Sequence, residues 1–319
     1  MATTTTITTN YQGEFAGRYI GAGLLEAESL KNGIFTVRPN IKYKSTTKTV
    51  SIGDDFVTDA TCDFDESSSV TLNERILEPK ELQVNLTQCK KDFRQDWDAL
   101  SMGIGAFDQL PKKYSDFIIA RFIAKAAAKT EVDLYSGDSS NNGEFDGIEK
   151  LIAADANLPS GQEVAGTNVT ASNVITELGK IVDAAPARLR IRPDVYIAVA
   201  PNIYYAYVRA LGGFAANGVG ANGVDNKGTT WFSNAMNLNF DGVPVLRANG
   251  MSTDTAILTY QENIEFGTGL LNDHNEVKLL DMSDIDGSQN VRFVMRYTAG
   301  TQYGFAEDIV TYGITNSAN

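Results

Sequence analysis

One segment of the chain has the spacing of a calcium-binding loop. Residues 138–149, DSSNNGEFDGIE, follow a predicted helix and have Gly143 at position six, as a twelve-residue EF-hand loop requires. The candidate ligands, at positions one, three, five, nine and twelve, are Asp138, Ser140, Asn142, Asp146 and Glu149. The next segment, 150–157, is a poor partner helix, and the same polar residues are common in exposed turns. The pattern therefore favours an ordinary turn and leaves calcium as the weaker interpretation.

The rest of the sequence offers little material for a catalytic or metal centre. The chain has one histidine, His274, and two cysteines, Cys62 and Cys89, which lack CxxC spacing. A single histidine cannot form a zinc-binding pair, and the sequence marks no nucleophile beside it. Residues 218–223 match GxGxxG, but they follow a predicted helix instead of a strand, so we do not interpret them as a dinucleotide site. Most ways of building an active site are excluded, and we expect no cofactor.

Composition describes a folded, acidic protein. Of its residues, 43% are hydrophobic and 21% charged, which is typical of a globular protein. The length of 319 residues is sufficient for one large domain or two smaller ones. There are 40 acidic and 27 basic residues, and the resulting charge of -13 disfavours general binding to nucleic acid. No stretch reaches the roughly 18 apolar residues that would span a bilayer. We therefore expect no contact with a membrane.

Alternating apolar and charged residues predict an extended arm followed by a long hairpin. Residues 1–34, rich in Thr and Gly, can bury little surface and are predicted to form the arm. From Phe35 onward the polar positions of a predicted strand are basic, and after a turn at 53–55 those of the returning strand are acidic. The two charged rows are Lys42, Lys44 and Lys48, and Asp59, Asp63 and Asp65. Either the rows neutralise each other on a surface hairpin, or the hairpin lies across a neighbouring copy, because two-stranded ribbons are marginal alone.

The longest predicted helix covers residues 111–135, begins at Pro111 and would be about 37 Å long. Arg121, Lys125 and Lys129 recur every four residues on it and share one face. We favour the interpretation that this face is solvated. The weaker interpretation is a basic stripe turned toward nucleic acid.

Further elements complete a mixed α+β chain without βαβ repetition. Shorter helices are predicted at 174–185 and 201–212. Strands are predicted at 70–86, at 195–200, on either side of a turn at 241–242, at 255–260, and in a final pair at 291–297 and 309–312.

The order of these segments resembles the major capsid proteins of tailed bacteriophages, which have the Hong Kong 97 fold. Residues 35–85 resemble the extended loop of that family, and residues 111–135 resemble its spine helix. LYSGDSSNNGEFDGIEKL resembles the turn after the spine, in which a Gly-Asp pair is followed by a Gly-Ile pair. In this chain those residues are Gly137, Asp138, Gly147 and Ile148.

Three later strings carry the same resemblance. LRIRPDVYIAVAPNIYYAYVRAL resembles a strand, proline and helix unit of the axial domain, and FDGVPVLRANG with AILTYQENIEFGTG resembles the next part of that domain. VRFVMRYTAGTQYGFAEDIVTYGI resembles the last hairpin. The resemblance implies an arm (1–34), an extended loop (35–85), a peripheral domain with the spine helix (86–185), an axial domain (186–285) and closing strands of the peripheral domain (286–319).

The resemblance implies a structural protein and no enzyme. Such a protein assembles as hexamers and pentamers into an icosahedral phage head around double-stranded DNA, within the bacterial cytoplasm. The extended loop, with its lysine and aspartate rows, would contact an adjacent subunit, and residues 212–228 would meet their copies at the capsomer centre. Partners would include a separate scaffolding protein, because residues 1–34 lack a charged helical segment, as well as a portal and decoration proteins. We expect no lysine crosslinks, because the acidic row favours salt bridges.

Two other functions remain open at this point. An encapsulin-like nanocompartment would use the same fold to enclose a cargo enzyme instead of DNA. A calcium-dependent surface or adhesion protein would instead depend on residues 138–149.

Overall fold

A computed structural model describes residues 28–52, 57–59, 62, 69–89, 112–212, 238–269, 276–282, 285, 287–288 and 290–317. Several predictions fall outside these ranges. They are the arm up to residue 27, Asp63 and Asp65, the helix start at Pro111, the loop from 213 to 228, and His274.

The described residues form thirteen strands and six α-helices, numbered here in chain order, and three short 3₁₀ helices, Ser160–Gln162, Gln261–Asn263 and Ala306–Asp308. Strands β1 to β13 are Thr36–Arg38, Ser45–Ile52, Val70–Leu77, Lys80–Cys89, Glu163–Val164, Val195–Val199, Leu238–Phe240, Val243–Arg247, Ala256–Tyr260, Ile264–Gly267, Glu276–Asp281, Asn290–Tyr303 and Val310–Tyr312. Helices α1 to α6 are Glu28–Lys31, Lys112–Ser136, Ile148–Ala153, Val174–Ala184, Ala187–Arg190 and Pro201–Gly212. None of these helices is long and apolar enough to cross a bilayer.

The strands belong to three sheets. A six-stranded sheet has the order β5-β13-β9-β6-β8-β7. A five-stranded sheet has the order β1-β10-β12-β11, and β4 also pairs with the long central strand β12. The remaining pair, β2 and β3, forms an antiparallel two-stranded sheet, which we call the ribbon.

Two hydrophobic cores hold the described residues together. In the first, α2 packs on the five-stranded sheet, with the rings of Phe122 and Phe293 4.8 Å apart. Near the end of α2 the fully buried Tyr135 meets Phe35 edge-on at 5.3 Å. In the second core, α4 and α6 cover the six-stranded sheet. The apolar spacing of α4 places one helix face on that sheet, as the sequence predicts.

Most predicted elements are confirmed in type and place. The long helix α2 ends within one residue of the predicted boundary, and α6 begins at its predicted proline. The turn between β7 and β8 also forms as predicted, with positive φ angles of 48° at Asp241 and 84° at Gly242. Positive φ at both central residues matches the right-handed twist of the flanking strands.

Two predicted strand arrangements are wrong. The predicted final pair does not form a hairpin, because β12 pairs with β4, β10 and β11, whereas β13 pairs with β5 and β9. All three residues of β13 are buried, which suits the interior of the six-stranded sheet. The predicted strand from Phe35 to Lys48 is also interrupted between β1 and β2. Pro39 lacks an amide proton for a strand ladder, and Asn40 has a positive φ of 67°.

Candidate intersubunit surface

The ribbon has two faces of different character. Its register runs from Ser45 opposite Leu77 to Ile52 opposite Val70, and directly opposed residues of an antiparallel pair point to the same side. One side, which we call the apolar face, carries Thr46, Lys48, Val50, Val70, Leu72, Glu74 and Ile76. The other side, which we call the anchored face, carries Thr47, Thr71, Arg75 and Leu77 among its members.

The apolar face is exposed to solvent. Leu72 is 72% exposed, Val70 62%, Val50 54% and Ile76 46%. Full burial of one such side chain is worth about 1.5–3 kcal/mol, so a single copy leaves much of this free energy unused. Several large apolar side chains exposed on one face of a sheet are typical of an interaction surface.

The charges on the ribbon differ from the prediction. The sequence predicts that the lysines of the first strand face Asp59, Asp63 and Asp65, but β2 pairs with β3. Lys48 therefore lies opposite Glu74, and Lys44 Nζ lies 2.9 Å from Glu78 Oε2.

A row of lysines cannot identify the strand that pairs with its own, because the alternation of residues shows only which of them share a face.

The lysines of this row differ in their surroundings. The hydrogen bond with Glu78 raises the pKa of Lys44. The side chains of Lys42 and Asp59 are exposed.

The predicted basic stripe on α2 is partly neutralised within the chain. Lys129 Nζ lies 2.7 Å from Asp133 Oδ1 and 2.6 Å from Glu144 Oε1. The bond from Lys129 lowers the pKa of Glu144 to about 2. Lys125 is exposed, and the side chain of Arg121 lies outside the described part of the chain. The side chain of Lys129 is also partly in solvent, at 48% exposure, so it contacts both solvent and the two carboxylates.

The candidate calcium ligands do not converge. Lys150 Nζ occupies the position between two of them, 2.6 Å from Asp138 Oδ1 and also bonded to Asp146 Oδ1. Hydrogen bonds from Lys150 and Ser140 lower the pKa of Asp138 to about 2. The twelfth residue, Glu149, accepts bonds from Ser252 instead, at 2.9 Å from its amide and 2.5 Å from its hydroxyl. The loop is therefore a lysine-centred turn.

The turn after α2 explains the two glycines of the capsid-like motif. Gly147 N donates a 2.9 Å hydrogen bond to Gly137 O, so the two backbones touch. A Cβ added at Gly147 would overlap the carbonyl of Tyr135, and one added at Gly137 would overlap that of Phe145. Ile148, the last residue of the motif, is fully buried in the first core. The spacing of the motif thus reflects a close backbone approach.

The structure shows no metal cluster in the described ranges. No three His, Cys, Asp or Glu side chains lie close enough there to hold a metal ion. Cys62 and Cys89 are both free thiols.

Sequence reasoning missed the apolar face, although its signal was present. Val70 and Leu72 alternate with polar residues, as they would in a half-buried strand, but only the exposure values show that the described part of the chain leaves them uncovered. The contact of Arg75 with Asp155 was also missed, because the two residues are far apart in the chain.

Solved structures that are similar to this chain come from phage capsids and related particles. No protein-family model and no curated protein sequence matches the chain. Among solved structures, a chain of the satellite phage P4 procapsid, which includes the size determination (Sid) protein, is similar to this chain. The match covers 93% of this chain and 99% of the P4 procapsid chain, with a TM-score of 0.53 and 12% sequence identity.

Two further particles give similar agreement. The match to the capsid of the native GTA particle covers 99% of this chain and 95% of the GTA chain, with a TM-score of 0.55 and 14% identity. The match to the virus-like particle from Pyrococcus furiosus covers 94% of this chain and 98% of that particle's chain, with a TM-score of 0.50 and 10% identity. The chain therefore has the Hong Kong 97-like capsid fold that the sequence resemblance predicts.

Proposed function

We propose that this protein is the major capsid protein of a tailed phage, with a structural instead of an enzymatic role. In this proposal, hexamers and pentamers of the chain close into an icosahedral head around double-stranded DNA. The apolar face of the ribbon is the observation that carries the proposal. The similarity to assembled capsid particles across most of the chain supports it.

A second copy of the chain is the partner that suits the apolar face. Each subunit would extend its ribbon over a neighbour and bury Val50, Val70, Leu72 and Ile76 there. Because each copy both gives and receives a ribbon, the contact is heterologous, and repetition around an axis closes a ring. The exposed Lys42 and Asp59 would then lie at the polar rim of the contact, where charges affect register more than affinity. Lys48 and Glu74, which lie opposite each other on the apolar face, would lie within the contact.

The remaining partners belong to the same proposal. A separate scaffolding protein would guide assembly, and a portal would occupy one vertex. Decoration proteins would bind the outer surface. Lys125 would face the packaged DNA without reading its sequence, and the peripheral and axial divisions inferred from the sequence would form the outer and central parts of each capsomer.

A shell that encloses cargo instead of DNA is the second candidate. A virus-like particle from Pyrococcus furiosus is among the similar structures, so the fold by itself does not distinguish a phage head from another closed particle. Both candidates predict closed particles, and they differ in what the particles contain.

Imaging and nuclease protection test the proposal together. The protein is expressed with and without candidate scaffolding proteins, and the high-mass fraction is imaged by negative-stain electron microscopy. Closed polyhedral particles of uniform size are expected, and particles from their native source should protect double-stranded DNA from nuclease. Uniform particles that enclose protein without DNA would favour the second candidate. Subunits that remain monomeric under all conditions would contradict both.

A further inference from the structure

One cross-strand residue pair of the ribbon, which we call the rung, contacts the body of the subunit through both of its residues. Thr47 of β2 lies directly opposite Arg75 of β3, so both side chains belong to the anchored face. Each takes part in a separate group of contacts that includes an arginine and a carboxylate side chain that is at most 9% exposed. The two groups lie side by side at the same level of the ribbon.

The contacts on the β3 side involve Arg75. Its Nη2 forms an ion pair with Asp155 Oδ2, and its guanidinium carbon lies 4.2 Å from the centre of the Tyr303 ring. Tyr303 Oη donates to the same carboxylate oxygen, while Asn157 donates to Oδ1 from its amide at 3.0 Å and from its side chain at 2.9 Å. The side chain of Asp155 is only 9% exposed, so solvent screens this pair less than a surface pair.

The contacts on the β2 side involve Arg38 of β1. Arg38 Nη1 donates to Thr47 Oγ1 at 3.2 Å, and its Nη2 forms an ion pair with Glu265 Oε1 of β10. The carboxylate of Glu265 is 6% exposed, and burial raises its pKa although Arg38 opposes the shift. The five-stranded sheet thus holds β2 through an arginine bridge.

The rest of the ribbon base is also packed, in contrast with its far end. Leu77 is 1% exposed, and Gln302 Nε2 donates to Ile76 O at 3.0 Å. Beyond the rung, Thr71 and Leu72 are exposed. Five residues of strand separate the rung from the far end, or about 16 Å, so a tilt of about 10° at the rung would move that end by about 3 Å.

We propose that the Thr47–Arg75 rung is a clamp that sets the direction in which the ribbon leaves the subunit. Its members are Arg38, Thr47, Arg75, Asp155, Glu265 and Tyr303. The clamp fixes the angle of the apolar face relative to the body. This consequence rests on the proposed function: if the apolar face binds a second copy, the clamp also sets the angle between neighbouring subunits and thereby the curvature of the shell.

Hydrogen exchange on unassembled subunits tests the clamp without requiring a shell. Arg75→Gln and Arg38→Gln should each increase the exchange rates of the amides in β2 and β3 about tenfold or more, while the rates in β6 and β9 stay unchanged. Arg192→Gln is the matched control, because Arg192 pairs with Asp194 at 2.8 Å and lies 3.7 Å from the ring centre of Tyr260, remote from the ribbon. It should leave ribbon exchange as in the wild type. Unchanged ribbon exchange in both clamp variants would overturn the proposal.

A conservative variant keeps the clamp testable if Arg75→Gln does not fold. Arg75→Lys keeps the charge but loses the planar stacking on Tyr303, so it should give an intermediate increase in ribbon exchange. If Arg75→Gln fails to fold, wild-type exchange in Arg75→Lys would count against the clamp.

Particle size then tests the link to curvature. Shells from Arg75→Gln and Arg75→Lys subunits should show a broader size distribution by electron microscopy than shells from the wild type or Arg192→Gln. Uniform shells of wild-type size from both clamp variants would refute this link. If wild-type subunits form no shells at all, the proposed function fails, and the exchange experiment still decides the clamp.

Discussion

The six-stranded sheet and the ribbon use similar residues in opposite environments. Every residue of β6 and β9 is buried, because alternate side chains enter the two hydrophobic cores on either side of the sheet. In the ribbon, Val50, Val70 and Leu72 are more than half exposed. The sheet completes its burial within one copy of the chain. The ribbon thus leaves apolar side chains exposed where the sheet buries them, as the proposed contact with a second copy would require.

The ribbon also differs from the sheet in how it is held. Strands β6 and β9 have hydrogen-bonded neighbours on both sides, whereas β2 and β3 pair only with each other among the described strands. The ribbon therefore depends on the side chains at its base, above all Arg75 and Leu77. Substitutions in the two regions should consequently affect different properties.

The largest effect on folding is expected from a truncation in the sheet. Leu258 in β9 is 1% exposed, so Leu258→Ala should reduce the free energy of unfolding by about 3 kcal/mol. Leu72→Ala, the same change on the apolar face, should alter it by no more than about 0.5 kcal/mol. Urea denaturation of unassembled subunits measures both values. Equal losses would mean that Leu72 is buried within the single copy.

A smaller but substantial loss is expected at the turn after α2. Gly147→Ala forces a methyl group against the carbonyl of Tyr135 and should cost about 2–3 kcal/mol of unfolding free energy. Gly179→Ala in α4 is the matched control, because a Cβ there meets open space. Alanine is the better helix former, so this control should gain about 0.5–1 kcal/mol. A neutral Gly147→Ala would show that the close backbone approach is not required.

The smallest effect is expected from the lysine-centred turn and depends on pH. The pKa of Asp138 falls from its ordinary value of 3.8 to about 2 when the chain folds, mainly through its bond to Lys150. A lowered pKa stabilises the fold above about pH 4, and this stabilisation is lost as the pH falls from about 4 to about 2.

Lys150→Gln should therefore be less stable than the wild type at about pH 6, and the difference should shrink as the pH approaches about 2. Urea midpoints at several pH values measure it. A difference that stays constant over this range would show that Asp138 does not respond to Lys150.

The sequence was sufficient to predict elements with a strong local period. The apolar spacing from 111 to 135 defines α2 almost to the residue, and the Asp241–Gly242 pair predicts its turn because few other residues accept positive φ. These features depend on neighbours in the chain, so one sequence contains the needed information.

The same sequence could not predict contacts between distant segments. The alternation in β2 defines a face but cannot show that β3 is its partner. The loop spacing places Glu149 at a ligand position, yet its side chain points to Ser252, about a hundred residues away in the chain. The clamp could not be predicted for the same reason, because Arg75 and Asp155 are far apart in the sequence and meet only in the folded chain.

Charges placed on the apolar face test whether this face joins one subunit to another. The double variant Val50→Asp, Leu72→Asp is compared with Thr71→Asp, which changes an exposed residue on the opposite face of the same ribbon. Assembly is measured by mass photometry and electron microscopy, and folding by urea denaturation of the subunit. We expect all subunits to fold equally well, the wild type and Thr71→Asp to form closed shells, and the double variant to remain unassembled. Normal shells from the double variant would show that the apolar face does not join subunits.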